Sequence, residues 1–170
     1  MKRINPYFYL PILAFLALTN CCFAQSVGNP AYEATLKTLL DHSVPEIGVQ
    51  EAQKKKNVVF VDAREKAEFE TSHIDGAVWV GYDDFDVFRM SEIPLNSEVI
   101  VYCSVGYRSE KVSEKLLKAG DTNVHNLYGG IFEWANQELP LYKKAKATDK
   151  VHAYNRTWGV WLEKGEKVYK

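Results

Sequence analysis

A cysteine and an arginine stand close together in a short segment of mostly small residues. Cys103 precedes Arg108, and the residues between them are Ser104, Val105, Gly106 and Tyr107. A thiolate is a strong nucleophile, and neighbouring positive charge and backbone N–H groups stabilise it. Gly106 allows the segment to curl tightly because glycine tolerates positive φ. The pattern predicts nucleophilic chemistry at Cys103 with Arg108 beside an anionic reactant; the alternative is a small, buried core cysteine.

The flanking residues predict the elements that position this segment. The continuous apolar run at residues 99–102 predicts a strand buried on both faces. Residues 109–119 predict a helix that ends at Gly120. Cys103 is therefore expected at the carboxyl end of a strand and before a helix, where open α/β sheets bind their ligands. Loop N–H groups and the first turn of such a helix attract an anion.

The rest of the chain alternates between strand and helix patterns. Further strands are predicted at residues 58–61, 77–80 and 124–127, and further helices at residues 30–40 and 131–136. This alternation predicts an α/β fold with a parallel sheet and helices on both faces. After a polar connector at residues 143–150, an aromatic segment with a turn signal at residues 163–166 predicts a β-hairpin packed on the domain.

The first residues have the pattern of an export signal. Lys2 and Arg3 precede a short apolar stretch at residues 7–18, and small residues at positions 22 and 24 form a cleavage site. We expect a signal peptide at residues 1–24 and a periplasmic or secreted protein without a permanent membrane span. The alternatives are an uncleaved N-terminal helix and a lipid anchor at Cys21, ranked lower because Asn20 precedes that cysteine.

Composition narrows the function classes. The 170-residue chain has a formal net charge of -1 and no basic cluster, which argues against nucleic-acid binding. Its four histidines lack metal-ligand spacing, so no metal site is expected. Cleavage after residue 24 would leave Cys103 as the only cysteine, so no disulfide framework is possible within one chain.

Three motifs together resemble the rhodanese family. They are VVFVDARE at residues 58–65 with EF at 68–69 and HIDGA at 73–77, VYCSVGYRS at 101–109, and LYGGIFEW at 127–134. The resemblance covers about residues 45–142 and implies a three-layer fold, in which helices flank a five-stranded parallel sheet. On this basis residues 25–44 are a lead-in helical segment and residues 143–170 a C-terminal extension.

The resemblance also implies a mechanism. The Cys103 thiolate takes a sulfane sulfur from a donor such as thiosulfate, and the persulfide passes it to a thiophilic acceptor, either a small molecule or a protein thiol. No cofactor is implied. Arg108 is expected to bind the donor, and the loop residues form the binding site: Ser104, Val105, Gly106, Tyr107 and Ser109. Asp62 and Arg64 are possible supporting residues, with Asp62 pairing with an arginine such as Arg108; the alternative is a helix cap and a surface ion pair.

Two other functions remain open. Cysteine-based phosphatases of related fold place five residues between their cysteine and arginine, whereas four separate Cys103 from Arg108. The shorter loop favours sulfur transfer over phosphoryl transfer. The second alternative is a partner-specific sulfur carrier or a binding module without catalysis of its own.

Overall fold

The structure is a computed structural model that describes residues 26–170. The predicted signal peptide at residues 1–24 and the alternative lipid anchor at Cys21 lie outside the described residues. Five α-helices occur in the described part: α1 Pro30–Leu39, α2 Val49–Ala52, α3 Lys66–Thr71, α4 Tyr107–Ala119 and α5 Gly130–Asn136. Two 3₁₀ helices cover Val87–Met90 and Trp158–Trp161.

Nine strands complete the described chain. They are β1 Glu46–Gly48, β2 Val58–Asp62, β3 Val78–Trp79, β4 Glu98–Tyr102, β5 Val124–Tyr128, β6 Leu141–Lys143, β7 Lys146–Thr148, β8 Lys150–His152 and β9 Glu166–Val168. The first five form one sheet in the order β1-β5-β4-β2-β3, and every pairing is parallel. The predicted five-stranded parallel sheet is therefore confirmed.

Helices cover both faces of the sheet, as predicted. Alternating β4 side chains point to opposite sides: Ile100 packs with residues of α1, α2 and α5, whereas Val101 packs with Val112 and Leu116 of α4. All four side chains are fully buried. A strand with apolar residues on both faces has this environment, which explains the continuous apolar run.

The helix that follows β4 begins earlier than predicted. It starts at Tyr107 rather than at Ser109, directly after Gly106, whose φ is 123°. Its other end is Gly120, a left-handed C-cap as predicted. The early start puts Arg108 in the first turn of α4 rather than in a loop.

A C-terminal hairpin is present as predicted, but it covers residues 141–148 instead of the predicted turn, so the segment predicted as a polar connector, residues 143–150, contains β7. Strands β6 and β7 form the antiparallel pair. The turn signal at residues 163–166 instead leads into β9, which pairs in parallel with β8. Parallel strands need a crossover connection, and residues 153–165, with their 3₁₀ helix, supply it.

The two segments outside the central domain contact each other. The rings of Tyr32 and Trp161 stack with centroids 5.3 Å apart. Asn29 caps α1 through its side-chain oxygen, which accepts from the Ala31 and Tyr32 N–H groups, and its amide donates to Glu163.

Within residues 26–170 no helix has the length and apolar character to cross a bilayer.

Candidate functional site

Cys103 lies at the carboxyl end of β4, as predicted. Its side chain is buried, and Sγ accepts a hydrogen bond from the Gly106 N–H at 3.1 Å. Gly106 has a φ of 123°, a conformation that side-chain-bearing residues rarely adopt. The glycine thus turns its own N–H toward the sulfur and begins α4, so the sulfur lies beside a helix N-terminus.

The start of α5 holds the backbone of the cysteine. The Ile131 N–H donates to the Cys103 carbonyl at 2.9 Å, and the Phe132 N–H donates to the Ser104 carbonyl at 3.1 Å. Gly130 permits this approach, because a Cβ built there would lie 2.5 Å from the Cys103 carbonyl oxygen. The two adjacent glycines, Gly129 and Gly130, have φ of 80° and 56°.

A buried amide fastens the other side of the loop. Asn126 Nδ2 donates to the Gly106 carbonyl at 3.0 Å, and its Oδ1 lies 2.7 Å from the hydroxyl of Ser109. Both side chains are fully buried. Ser109 was predicted as a loop residue and Asn126 was not; the signal of Asn126 is an amide at a buried position of β5.

Arg108 forms a two-point ion pair with Glu68. Nη1 donates to Oε2 at 2.7 Å and Nη2 to Oε1 at 2.8 Å. Nη2 also donates to the Ser104 hydroxyl at 3.0 Å, and that hydroxyl lies 3.0 Å from Glu68 Oε1. Glu68 belongs to the first of the three motifs but was not predicted as a site residue. Its signal was its position three residues after Glu65, the spacing of the capping box that begins α3.

The charge of Glu68 follows from this pairing. Burial alone would raise the pKa of its carboxyl group. The hydrogen bonds and charge of Arg108, together with the charge of Arg64 and the Glu65 N–H, outweigh burial, and the pKa lies below its usual value. Glu68 is therefore a buried carboxylate that holds the guanidinium of Arg108 against the loop.

Asp62 does not pair with Arg108, contrary to prediction. Its partner is Arg64, whose Nη2 lies 2.6 Å from Oδ2 and whose backbone N–H donates to Oδ1 at 2.9 Å. The close spacing lets Arg64 satisfy Asp62 with both side chain and backbone, while Glu68 occupies Arg108. The surface alternative for this pair is also wrong, since both side chains are fully buried.

The C-terminal extension reaches the same cluster. The Arg108 guanidinium carbon lies 4.9 Å from the centroid of the Tyr154 ring, and Tyr154 is 45% exposed. The Tyr154 N–H donates to Nδ1 of His152 at 3.2 Å. Burial lowers the pKa of His152; Glu68 opposes this effect, and Arg64 and Arg108 add to it.

The remaining loop side chains differ in exposure. Ser104 and Val105 are buried, whereas Tyr107 is 41% exposed at the surface beside them. Near the start of α5, the Tyr32 hydroxyl donates to the Gly129 carbonyl at 2.9 Å. Among the described residues, no group of histidine, cysteine and carboxylate side chains has the arrangement of a metal site.

Comparisons with known proteins agree with this architecture. The Rhodanese-like domain family model matches residues 48–137. A sulfurtransferase from Allochromatium vinosum is 37% identical over 86 residues, which are 51% of this chain and 79% of the relative. The solved thiosulfate sulfurtransferase from Pseudomonas aeruginosa superposes with a TM-score of 0.54 at 26% identity, over 65% of this chain and 22% of that one.

The chain therefore belongs to the rhodanese-like family, as its three motifs predicted. The family includes proteins of other function: a tRNA uridine(34) hydroxylase from Pectobacterium carotovorum is 35% identical over 94 residues. Those residues are 50% of this chain and only 26% of the hydroxylase. The likeness to this relative thus concerns a shared domain.

Proposed function

We propose that this protein is a sulfurtransferase that moves a sulfane sulfur through a persulfide on Cys103. The observation that carries the proposal is the position of the Cys103 sulfur, 3.1 Å from the Gly106 nitrogen at the start of α4. The N–H dipole and the helix N-terminus both stabilise negative charge on sulfur. A stabilised thiolate is the form that attacks.

The reaction divides into two balanced steps. In the first, the Cys103 thiolate attacks the sulfane sulfur of the donor, a new sulfur–sulfur bond forms, and the donor's own bond to that sulfur breaks. With thiosulfate the leaving group is sulfite. In the second step a thiophilic acceptor takes the outer sulfur, and the Cys103 thiolate is released. This is ping-pong covalent catalysis with no net change at the cysteine.

The loop residues have separate parts in this proposal. Gly106 supplies the N–H group at the sulfur, and the Ser109 hydroxyl and the Asn126 amide both donate to the carbonyl of that glycine. Arg108 and Ser104 are tied to Glu68, so they position the loop as well as adding charge near the sulfur. Asp62 and Arg64 form a separate buried ion pair, and the Arg64 guanidinium lies over the ring of Tyr102, the last residue of β4.

Sulfur transfer is favoured over phosphoryl transfer for a structural reason. A phosphatase loop needs an arginine fork that is available to the phosphate oxygens. Here both terminal nitrogens of Arg108 donate to Glu68. A partner-specific sulfur carrier has the same Cys103 environment and differs only in its acceptor.

A donor screen tests the proposal. The protein is incubated with thiosulfate, mercaptopyruvate, a low-molecular-weight persulfide and an aryl phosphate, and sulfur uptake and phosphate release are both measured. We expect uptake from at least one sulfur donor and no phosphate release. Phosphate release without sulfur uptake would reverse the assignment. Uptake followed by transfer to only one protein thiol would identify a dedicated carrier.

The proposal includes export to the periplasm or the outside of the cell. Lys2, Arg3 and the apolar stretch at residues 7–18 support it. Sequencing of the protein from its native host should give Gln25 as the first residue. A lipid on an N-terminal Cys21 would instead indicate membrane anchoring.

A further inference from the structure

The C-terminal extension places an aromatic ring against Arg108. Tyr154 belongs to this extension and lies outside the residues that match the family model, 48–137. Its ring centroid is 4.9 Å from the Arg108 guanidinium carbon. Arg108 donates to the hydroxyl of Ser104, the residue that directly follows Cys103. The ring therefore covers a charged group in the helical turn that follows the cysteine loop.

The backbone of Tyr154 is built to place this ring. Its φ is 61°, a left-handed conformation that is uncommon for a tyrosine. Such a conformation persists only where the surroundings impose it. Here the Tyr154 N–H donates to His152 Nδ1, and the Ala153 N–H donates to the Val168 carbonyl of β9 at 2.8 Å. The parallel β8–β9 pair thus presents the ring to Arg108.

The guanidinium group of Arg108 already has partners at both terminal nitrogens and on one face. Its two terminal nitrogens donate to the Glu68 carboxylate and to Ser104, the Tyr154 ring lies over the guanidinium, and the side chain is only 12% exposed. A sulfonate group that sought this fork would compete with a buried carboxylate of like charge. Binding of a dianion gains little from such an arginine.

Resting on the proposed function, we propose that Tyr154 is a specificity-determining residue that disfavours thiosulfate and favours persulfides of small thiols as sulfur donors. A persulfide R–S–SH gives its outer sulfur to the Cys103 thiolate and leaves as R–S⁻, so it needs no site for a sulfonate.

The test compares two donors across three variants. The second-order rate constant for loading of Cys103 is measured with thiosulfate and with the persulfide of 2-mercaptoethanol. The ratio of the two constants is then compared between each variant and the unaltered protein, which cancels the intrinsic difference in reactivity of the donors. Tyr154→Ala uncovers Arg108, Tyr154→Phe keeps the ring, and Tyr169→Ala removes a tyrosine of similar exposure, 43%, from the same extension.

We expect Tyr154→Ala to shift the ratio toward thiosulfate by about three- to tenfold, the effect of losing one cation–π cover. Tyr154→Phe and Tyr169→Ala should keep the ratio of the unaltered protein. An unchanged ratio in Tyr154→Ala, or an equal shift in Tyr169→Ala, would overturn the inference and leave the proposed function intact. Failure of the unaltered protein to load from either donor would overturn both.

Discussion

Arg108 and Glu68 form a buried two-point ion pair across the site, with nitrogen–oxygen distances of 2.7 and 2.8 Å. The pair joins the first turn of α4 to α3, and it includes the hydroxyl of Ser104. Arg108, which the sequence predicts to bind an anion, therefore also holds the cysteine loop in place. Its removal should affect stability as well as chemistry.

A double-mutant cycle measures the coupling free energy between Arg108 and Glu68. Arg108→Ala leaves the Glu68 carboxylate buried without its partner, and the free energy of unfolding should fall by about 3 kcal/mol. The double variant Arg108→Ala/Glu68→Ala should lose far less free energy of unfolding than the sum of the losses in the two single variants, because no charge is then left buried without a partner. Chemical denaturation of the four proteins gives the coupling. Additive effects would contradict the pairing.

The depressed pKa of Glu68 predicts how stability depends on pH. The carboxyl pKa is lower in the folded protein than its usual value of 4.5, so its contribution to stability is fully present above about pH 4.5. This contribution is lost as the pH falls through the lower folded-state pKa. Glu68→Gln should therefore flatten the acid limb of the unfolding free energy, measured by denaturation between about pH 3 and 7. An acid limb as steep as that of the unaltered protein would contradict this origin.

Gly130 is predicted to be intolerant of any side chain. Alanine there would place a Cβ 2.5 Å from the Cys103 carbonyl oxygen, so the α5 start would have to move away from the loop. Gly76→Ala is the control, because Gly76 has a similar φ of 67° but no heavy atom within 4 Å of that Cβ position. Both variants incur backbone strain of about 1 kcal/mol.

Both Gly130→Ala and Gly76→Ala should lose stability, but only Gly130→Ala should also lose sulfur uptake. Loading of Cys103 from a sulfane donor and thermal unfolding are measured on both variants. Full uptake by Gly130→Ala would mean that the contact between α5 and the loop does not fix the cysteine. Equal loss of uptake in both variants would assign the effect to strain alone.

Asp62 and Arg64 should show the contrast between a buried and a surface ion pair. Asp62→Ala strands a fully buried guanidinium, and the free energy of unfolding should fall by about 3–5 kcal/mol. Lys66→Ala removes one member of the exposed pair with Glu70, in which both side chains are about two-thirds exposed, and should change stability little. Similar losses in the two variants would contradict the burial of Asp62 and Arg64.

The sequence was sufficient to predict the fold class and the place of the cysteine. The apolar runs of β2 and β4, the helix stop at Gly120 and the junction at Cys103 are local features, and local features are visible in a sequence. The three motifs gave the family because they occur in the right order. These predictions did not depend on knowing which distant side chains meet.

The pairing of charges could not be predicted in the same way. Asp62 was the predicted partner of Arg108, but the packing of α3 against the loop gives Arg108 to Glu68 and leaves Asp62 with Arg64. Asn126 and Tyr154 were missed because their partners, Gly106 and Arg108, lie in other parts of the sequence. Side-chain pairs between residues that are distant in the sequence can be identified only from the structure.

The central claim is that Cys103 carries the transferred sulfur, and mass spectrometry of the intact protein tests it most directly. After incubation with a sulfane donor, the protein should gain the mass of one sulfur atom, and cyanide or a thiol should remove it. Cys103→Ser should gain nothing, because an alcohol is a far weaker nucleophile at neutral pH. Uptake of a removable sulfur by the serine variant would contradict the account.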